Sequence, residues 1–578
     1  MADFNGRMKW WGWGEEDVEF DIASKPELWP YVVKMLKLTS DPPLVRPIAL
    51  ENIDLPEQKR NTSFLERIRV KLNANQIYDD KHERLVHAFG KSFRDLWRVR
   101  RGIVEHSPDF VVYPESEDDV VVIVAAANDC NVVVIPFGGG SNIAGCLESR
   151  DPQNRMIVSL DMSRMNRVLE VDNYSQTATI QTGVFGQHME QQLAKHGMTL
   201  GHFPDSFMHS TLGGWIATRS AGMQSDRYGK IEDMVISLRM VTPSGTIVTR
   251  KTPRASNGID VNRVCVGSEG ILGVITEATM RVHRVPAKKT YVGYLFPSFE
   301  SGVDAIYECV EKDCMPVITR LNDAAKTALS AAFKAKPGGT AQLLAKGIKS
   351  YLRKVKKFEL EKSCLMITAF EGTENSVRRQ RKQVGQIYKK HGGFGLGESP
   401  GRSFERSKYD FPYFRDFVMD RSIVADVSET CTVWSNIVPL YNNTMSAVRH
   451  AIEETGNLPW AGCHISHSYH SGASLYFTFA FMSPGEESLQ HYLAVKKAVE
   501  DAFISNGATL SHHHAVGTEH LPWMKQEISE TGLKAVQALK DGLDPESIMN
   551  PGKILPSANP WEDWGLQTHQ SVAQQKGE

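Results

Sequence analysis

The sequence predicts an α+β protein of several domains, and three observations lead to this fold class. With 578 residues, the chain is long enough for about two to four domains. Between residues 104 and 286, short β-branched runs alternate with helical stretches and with turns rich in glycine and proline. Between residues 287 and 525, strands such as Tyr291–Leu295 and Ser474–Phe479 again alternate with helical segments. We therefore divide the chain at these points, with a helical region over 1–103 and a C-terminal region over 526–578.

The N-terminal region, residues 1–103, is expected to be helical and to clasp the rest of the protein. Lys9–Gly14 holds three tryptophans, which is more typical of an anchor against another domain than of a reactive site. Leu65–Val86 alternates apolar and charged residues at helical spacing, and this pattern predicts a helix.

The domain at 104–286 begins with strand and helix signals that lead to a glycine-rich loop. Pro108–Pro114 is a predicted strand, Glu117–Cys130 a predicted helix, and Val132–Val134 a predicted buried strand. Gly138–Gly140 follow, and successive glycines let bare backbone N–H groups approach a ligand such as a diphosphate. An ordinary glycine turn is the alternative for this loop taken by itself. Further strands are predicted at Met156–Leu160, Ala178–Gln181 and Thr246–Val248.

The C-terminal region, residues 526–578, is predicted to contain a helix over Glu530–Leu539. Met549–Lys553 follow this helix, and a polar tail ends the chain. We expect the region to return to the domain at 104–286.

Composition and charge exclude several classes of protein. The 66 basic and 68 acidic side chains give a net charge of −2, so nothing indicates a nucleic-acid binder. The eight cysteines are scattered without a CxxC pair, so we expect neither a metal site nor a disulfide framework. No apolar run approaches the roughly 18 residues of a membrane span, and neither end of this chain carries a targeting signal that we can identify.

Four separated segments carry a resemblance to a known superfamily. Pro136–Asn142, Asp205–Thr211, Thr218–Gly222 and Gly267–Ile275, in this order and spacing, resemble the PCMH-type FAD-binding domain of the vanillyl-alcohol oxidase superfamily. The resemblance implies a two-subdomain FAD-binding domain followed by an α+β cap domain with an antiparallel sheet. The residues it implies at the FAD are Pro136, Phe137, Gly138, Gly139, Gly140, Ser141, Asn142, Asp205, Ser206, Phe207, Met208, His209, Ser210, Thr211, Thr218, Arg219, Ser220, Ala221, Glu269, Gly270, Ile271, Leu272, Gly273, Val274 and Ile275.

The resemblance also bears on how FAD is held. Superfamily members that bind flavin covalently usually have a histidine in the glycine loop, where this chain has Ser141 or Asn142. We therefore expect non-covalent FAD, with His209 left as an alternative attachment residue.

The C-terminal half narrows the resemblance to the alkyldihydroxyacetonephosphate synthase family. Pro316–Leu321, Tyr409–Asp416, His467–Phe477 and Ser511–Gly517 are similar to segments of that family. The implied reaction exchanges the acyl group of acyl-dihydroxyacetone phosphate for a fatty alcohol through a flavin N5 adduct, a step of ether-lipid (plasmalogen) biosynthesis. The family further implies a homodimer in the peroxisome, although this chain shows no targeting signal.

Candidate catalytic residues follow from the proton transfers that this reaction needs. Tyr476 occupies the position at which related FAD-dependent hydroxyacid dehydrogenases have a histidine. A tyrosine has a reference pKa of about 10, so as a base it needs a lowered pKa or a neighbouring imidazole. His512, His513 and His514 supply imidazoles, and adjacent residues of an extended segment cannot all face one way. We expect one or two of them at the flavin and another farther out.

Arg320 and Arg415 match arginines of the family pattern. A phosphate ester favours arginine, so we expect one or both at the phosphate or polar head of the substrate. An ion pair at the surface or between domains is the alternative for each.

A basic segment indicates peripheral contact with a membrane. At helical spacing its residues form an apolar face flanked by positive charge, which suits an anionic bilayer and long-chain substrates. A solvated cationic helix is the alternative. The residues are Leu343, Leu344, Lys346, Ile348, Lys349, Tyr351, Leu352, Arg353, Lys354, Val355, Lys356, Lys357 and Phe358.

Two other functions compete with the synthase. An FAD-dependent 2-hydroxyacid dehydrogenase or oxidase would use the same flavin domain, but Tyr476 and the histidine triplet argue against it. The other alternative is a silent flavoprotein that serves as a scaffold for an upstream acyltransferase, and no disrupted motif favours it.

Overall fold

The computed structural model describes residues 7–333 and 339–565, and for 339–346 it describes the backbone only. Helices and strands are mixed along the chain, and most strand pairs are antiparallel. The predicted α+β class is confirmed. Among the described residues, no helix is both long and apolar enough to span a membrane.

The N-terminal region is mainly helical but contributes one short strand to a sheet. The helix predicted over Leu65–Val86 is wrong in its middle, because two helices are separated there by a strand that pairs with Val111 and Val112. The elements are α1 (Leu28–Met35), α2 (Thr62–Arg69), β1 (Ile77–Tyr78), α3 (Lys81–Val86) and α4 (Phe93–Arg100).

The next segment forms a four-stranded sheet whose central strands are parallel, in the order β1-β2-β4-β3. Ser116 caps the long helix by accepting a hydrogen bond from the Asp119 N–H, and Asn131 ends it in the left-handed region. The apolar strand that follows is buried, and the glycine loop begins directly after its carboxyl end. The elements are β2 (Phe110–Val112), α5 (Glu117–Cys130), β3 (Val133–Phe137) and β4 (Ile157–Asp161).

A second sheet of five antiparallel strands follows, in the order β5-β6-β10-β8-β9, with a small two-stranded sheet beside it. The elements are β5 (Val168–Asp172), β6 (Thr177–Gln181), α6 (Gly186–Ala194), β7 (Met198–Thr199), α7 (Leu212–Thr218), α8 (Ser225–Tyr228), α9 (Ile231–Met234), β8 (Val235–Thr242), β9 (Gly245–Val248), α10 (Val261–Cys265), β10 (Val274–Arg281) and β11 (His283–Arg284).

The second half of the chain builds a seven-stranded antiparallel sheet in the order β15-β12-β14-β13-β17-β18-β16. The predicted strands over Tyr291–Leu295 and Ser474–Phe479 lie in this sheet. Its elements are β12 (Lys288–Phe296), α11 (Phe299–Glu311), β13 (Ile318–Asn322), α12 (Ala324–Ala332), α13 (Gly339–Lys354), β14 (Cys364–Gly372), α14 (Glu374–Lys390), β15 (Phe394–Gly397), α15 (Ser399–Ser407), α16 (Phe411–Met419), β16 (Ile423–Val433), α17 (Ile437–Glu454), β17 (Trp460–Ser468), β18 (Gly472–Met482) and α18 (Ser488–Ser505).

The described end of the chain contacts the glycine-loop sheet. It contains α19 (Met524–Leu543) and α20 (Pro560–Trp564). Met549 forms a parallel bridge with Val134 of β3, and the Asn550 side chain donates hydrogen bonds to the carbonyl oxygens of Cys146 and Glu269. The polar tail after residue 565 lies outside the described residues, and the domain boundaries drawn from the sequence stay predictions.

Candidate active site

One cavity of about 370 Å³ lies between the glycine loop and the seven-stranded sheet. We call its two sides the glycine-loop wall, from residues 136–147 and 205–275, and the sheet wall, from β13, α12, α16, β16, β17, β18 and the loop at 513–514. The sequence-predicted residues that line it are Pro136, Phe137, Gly138, Gly139, Gly140, Ser141, Asn142, Asp205, Ser206, Ser210, Thr211, Thr218, Ser220, Ala221, Glu269, Gly270, Gly273, Val274, Ile275, Arg320, Arg415, Tyr476, His513 and His514.

Seven residues with a predicted site role do not line this cavity. Phe207 stacks near Trp215 and Tyr409, and the exposed Arg219 pairs with Glu232 at 3.5 Å. The remaining five are Met208, His209, Ile271 and Leu272, which pack in the interior, and His512, which lies behind His513.

The glycine loop fits a diphosphate in two respects. The N–H groups of Gly139, Gly140 and Ser141 donate no hydrogen bond to a described residue, so they remain free where the loop borders the cavity. The loop also packs tightly on its other side, because a Cβ on Gly139 would lie 1.9 Å from the carbonyl oxygen of His209. Glycine is therefore required at this position by a contact within the protein.

The Asn142 side chain links this loop to the histidine triplet. Its amide nitrogen donates to the carbonyl oxygen of His514 at 3.1 Å, and its amide oxygen accepts from the N–H groups of Ala144 and Cys146. The side chain is thus committed to positioning the loop.

Tyr476 lies at the centre of a row of polar residues across three neighbouring strands. The β16–β18 register pairs it with Glu429, and the β17–β18 register pairs it with His464. Directly paired residues of antiparallel strands share a face, so all three side chains point to the same side of the sheet. The ring centroids of His464 and Tyr476 are 4.7 Å apart.

The histidine triplet divides as its spacing predicts, with two rings at the cavity and one behind. The ring centroids of His513 and His514 lie 6.0 Å and 5.4 Å from that of Tyr476. Neither imidazole is hydrogen-bonded to the Tyr476 hydroxyl among the described residues. His512 instead contacts Tyr469, whose hydroxyl lies 2.5 Å from Nε2 of His512.

Glu429 holds the histidine segment in place from inside the sheet. Its carboxylate accepts hydrogen bonds from the backbone N–H groups of His512, His513 and His514 at 2.9 Å and from the Ser511 hydroxyl at 2.8 Å. Burial opposes the charge of this carboxylate, yet attraction to the neighbouring histidines, above all His513 and His514, and the side-chain hydrogen bond with His513 keep the pKa of Glu429 well below its usual range.

Burial sets the protonation of the groups around Tyr476. It raises the pKa of Tyr476 well above its ordinary value, with the charges of Asp205 and Glu429 adding to the effect. It lowers the pKa values of His512 and His514 well below the ordinary histidine value. At neutral pH these two imidazoles are therefore neutral, and Tyr476 keeps its proton unless a neighbouring base accepts it.

Three cationic side chains line the sheet wall, and they differ in whether they are paired. Arg415 Nη1 lies 3.1 Å from the Asp426 carboxylate. Arg320 and Lys326 form no ion pair with a described residue, and Lys326 is only 6% exposed. Burial, together with the charge of Arg320, lowers the pKa of Lys326 to about 7. The cations of this wall without an ion-pair partner among the described residues are therefore Arg320 and Lys326, and Lys326 is protonated in only part of the molecules at neutral pH.

The other end of the cavity is apolar. It is built mainly from α1, α12, α16 and the edge strand of the sheet. Its lining residues are Tyr31, Val32, Met35, Leu36, Leu329, Phe411, Phe414, Val418, Ile423, Ala425, Trp460 and Ala480.

The structure adds site residues that the sequence argument did not identify. Glu429 lies in β16, on the face that it shares with Ile423, Ala425 and Val427, and a single carboxylate on an apolar face is the signal that indicates it. Lys326 lies in the first turn of α12, where the sequence offers no comparable signal.

Two sets of three side chains in this region lie close enough to share a metal ion. They are His467, His512 and His513, and Glu429, His513 and His514, with ligand atoms within 4.8 Å of one another in each set. The sequence prediction that no metal binds is not tested by this proximity and stays a prediction.

The basic segment that was predicted to contact a membrane is partly buried. α13 forms part of it, with Leu352 and Phe358 buried in the core while Tyr351 and Val355 are 42% and 61% exposed. The side chains of Leu343, Leu344 and Lys346 lie outside the described residues.

Comparison with known proteins agrees with this geometry. Residues 108–250 match the FAD binding domain family, and residues 285–554 match the C-terminal domain family of FAD linked oxidases. A solved p-cresol methylhydroxylase structure has a TM-score of 0.64 at 15% identity, over 85% of this chain and 96% of its own, and shows the shared fold.

Two further comparisons concern the whole chain. An alkyldihydroxyacetonephosphate synthase of Dictyostelium discoideum is 39% identical over 96% of this chain and 94% of its own length. A solved alkyldihydroxyacetonephosphate synthase structure is 37% identical, with a TM-score of 0.83 over 95% of this chain and 99% of its own. With the glycine loop, the tyrosine and the histidine triplet placed around one cavity, this chain belongs to the alkyldihydroxyacetonephosphate synthase family of FAD-dependent enzymes.

Proposed function

We propose that this chain exchanges the acyl group of acyl-dihydroxyacetone phosphate for a fatty alcohol in the cavity between the glycine-loop wall and the sheet wall. The observation that carries the proposal is the set of groups that line this one cavity. They are free N–H groups at the glycine loop, Tyr476 with two imidazoles, an unpaired cationic pair and an apolar region. A substrate with a phosphate, a ketone carbon and a long chain needs the last three together.

In this proposal FAD supplies the covalent chemistry at the substrate carbon when it is bound. The chain moves the protons. His513 and His514 flank Tyr476 and are held by Glu429, so a proton removed beside the ketone has acceptors within the same cluster. The negative charge of Glu429 stabilises a positive charge that forms on His513, whose Nδ1 lies 3.2 Å from the carboxylate.

The phosphate of the substrate is assigned to Arg320 and Lys326 in preference to Arg415. The first two have no carboxylate partner, whereas Arg415 is already neutralised by Asp426. A phosphate in the cavity is therefore stabilised more by Arg320 and Lys326 than by Arg415.

We also propose that FAD is bound without a covalent bond. The His209 ring lies against Trp13 and Tyr413, with centroids 5.7 Å and 5.5 Å away, and it does not border the cavity. Ser141 and Asn142 occupy the loop position at which a covalent histidine would stand.

The test is a turnover experiment with palmitoyl-dihydroxyacetone phosphate and hexadecanol under anaerobic conditions. We expect release of palmitic acid together with an ether product, and no lasting flavin reduction by 2-hydroxyacids. Tyr476→Phe should abolish turnover while FAD stays bound. Tyr294→Phe, in the same sheet but outside the cavity, is the matched control and should retain activity. Flavin bleaching by a hydroxyacid without acid release would instead identify a dehydrogenase.

Peripheral membrane contact through α13 and the residues after it is a second part of the proposal. Tyr351 and Val355 are exposed there beside the exposed lysines Lys349, Lys354 and Lys356. We expect the protein to sediment with anionic vesicles and much less with neutral ones. A triple Lys→Gln variant at these three positions should reduce this binding, and equal sedimentation of variant and wild type would contradict the proposal.

The remaining parts of the proposal, a homodimer and a peroxisomal location, rest on the family alone. Light scattering after gel filtration measures the first, and organelle fractionation measures the second.

A further inference from the structure

A second polar cavity lies on the far side of the histidine triplet. This cleft has a volume of about 450 Å³, and Arg227, Arg263 and Arg281 line it together with Tyr469. Nothing in the proposed reaction uses it directly. Its position matters because Tyr469 also contacts the triplet.

A continuous line of hydrogen bonds connects this cleft with the reaction cavity. The Tyr469 hydroxyl lies 2.5 Å from Nε2 of His512, and Nδ1 of His512 lies 2.9 Å from Nδ1 of His513. His513 lines the reaction cavity, and its ring stacks on that of Tyr476. Because Tyr469 lines the cleft and His513 lines the reaction cavity, the hydrogen bonds among Tyr469, His512 and His513 join the two cavities.

We infer that Tyr469 and His512 form a proton relay that exchanges protons between the reaction cavity and water in the cleft. This role explains why His512 lies in the triplet without bordering the cavity. The inference rests on the proposed function, because that reaction removes and returns a proton at the substrate carbon.

Each step of the relay moves one proton and no electrons. Nε2 of His513, which has no hydrogen-bond partner among the described residues, accepts a proton from the cavity, and Nδ1 of His513 releases one to Nδ1 of His512. His512 then releases a proton from Nε2 to the Tyr469 oxygen, and the original hydroxyl proton of Tyr469 passes to water. The reverse sequence returns a proton to the cavity.

The surroundings suit these transfers. Glu429, 3.2 Å from Nδ1 of His513, stabilises the positive charge that passes through this ring. Burial lowers the pKa of His512 well below its ordinary value, so this ring starts neutral and can accept as well as donate. Lys230 donates to the carbonyl oxygen of His512 at 2.5 Å and fixes the segment.

The test measures how much deuterium enters the reacting carbon for each turnover in D₂O, with FAD-loaded full-length enzyme and the two substrates named above. Tyr469→Phe keeps the ring and removes the hydroxyl, and we expect it to lower deuterium incorporation per turnover by about 10-fold. The FAD content should stay unchanged. Added imidazole, a small proton carrier, should restore incorporation in Tyr469→Ala.

Tyr228→Phe is the matched control. Tyr228 lines the same cleft, but its hydroxyl donates to Glu371 and contacts no histidine of the triplet. This variant should keep the wild-type ratio of deuterium to product.

Two results would overturn the relay. A wild-type ratio in Tyr469→Phe, with normal product formation, rejects the relay while the proposed function stands. A wild-type enzyme that releases no fatty acid rejects the proposed function itself, and the relay with it.

Discussion

The two walls of the cavity satisfy their polar groups in different ways. On the glycine-loop wall, side chains such as Asn142 and Glu269 are saturated by backbone groups of neighbouring loops. Buried polar side-chain atoms without a partner among the described residues lie mostly on the sheet wall, where they belong to Arg415, His464, Ser466, His467 and Thr478, while Ser268 is the one such residue that lines the glycine-loop wall.

This difference separates rigidity from reactivity. The side-chain contacts of the glycine-loop wall hold its shape without a ligand and leave the N–H groups of Gly139, Gly140 and Ser141 free, which suits a cofactor that stays bound throughout turnover. An unsaturated buried polar atom costs free energy until a partner arrives, so the sheet wall gains most from substrate groups that supply one. The side chains of the glycine-loop wall are therefore fixed by the protein itself, whereas the sheet wall keeps buried side-chain atoms that a ligand could satisfy.

The largest effect expected on the glycine-loop wall comes from Gly139→Ala. The new Cβ would overlap a backbone carbonyl oxygen that cannot rotate away, so the loop must shift. We expect loss of FAD binding and a destabilisation of about 3 kcal/mol, measured by flavin absorbance and urea unfolding. Gly542→Ala in α19 has open space and should instead stabilise by up to about 1 kcal/mol. Normal FAD content in Gly139→Ala would contradict the assignment of the glycine loop to FAD.

Glu429→Gln should remove the buried charge that supports the histidines of the sheet wall. Oε1 of Glu429 alone accepts from the three N–H groups and the Ser511 hydroxyl, so an amide oxygen can keep these contacts, but the variant loses the negative charge beside Nδ1 of His513. We expect kcat to fall by about 100-fold with FAD still bound, since Glu429 forms no hydrogen bond to a described residue of the glycine-loop wall, which meets the histidine segment through Asn142. Equal losses of FAD and kcat would show that the two walls are not independent.

Lys326→Met tests the unpaired charge. The substitution keeps the buried stem and removes the ammonium, so we expect KM for acyl-dihydroxyacetone phosphate to rise by about 10- to 100-fold. KM for the fatty alcohol should stay constant because the alcohol carries no phosphate. Lys408→Met, a partly buried lysine that does not line the cavity, is the control. An unchanged KM in Lys326→Met would remove this residue from the phosphate site.

Acidification should lower the free energy of unfolding through buried histidines. The effect of each histidine should be smaller than the effects of the substitutions above. Burial lowers the pKa of His209 to about 4 and the pKa of His464 well below its ordinary value. Below about pH 6.5 the unfolded chain protonates these imidazoles and the folded protein does not, so stability is complete above this pH and decreases below it. Each group contributes about 1.4 kcal/mol per pH unit down to its folded pKa.

His209→Phe provides the measurement for this pH effect. Both ring nitrogens of His209 are buried without a partner, so phenylalanine can replace the ring. Between pH 6.5 and 5.0, the slope of the unfolding free energy against pH should be smaller than that of the wild type by up to about 1.4 kcal/mol per pH unit, which corresponds to one proton. A slope equal to that of the wild type would show that His209 titrates normally.

The sequence predicted the glycine-loop wall better than the sheet wall, for a physical reason. Backbone binding needs consecutive residues, so Pro136–Asn142 and Glu269–Ile275 appear in the sequence as unbroken motifs. The cluster of the sheet wall is assembled across strands whose register no local pattern reports. Glu429 and His464 come together only because each pairs with Tyr476.

Individual side chains were also harder to assign than segments. The Asp205–Thr211 segment borders the cavity, but Phe207, Met208 and His209 turn into the interior. The helix predicted through Leu65–Val86 failed because the strand Ile77–Tyr78 is selected by a distant partner, β2. In both cases tertiary packing decides an orientation that composition leaves open.

The return of the chain end to β3 has a consequence for biosynthesis. Asn550 donates to the carbonyl oxygen of Cys146, which lies 404 residues earlier in the chain. A ribosome therefore releases the glycine loop long before it delivers the residues that lie beside it. The surroundings of the glycine loop are completed only after Met549 and Asn550 have been translated, and a nascent polypeptide shortened before Met549 lacks these neighbours.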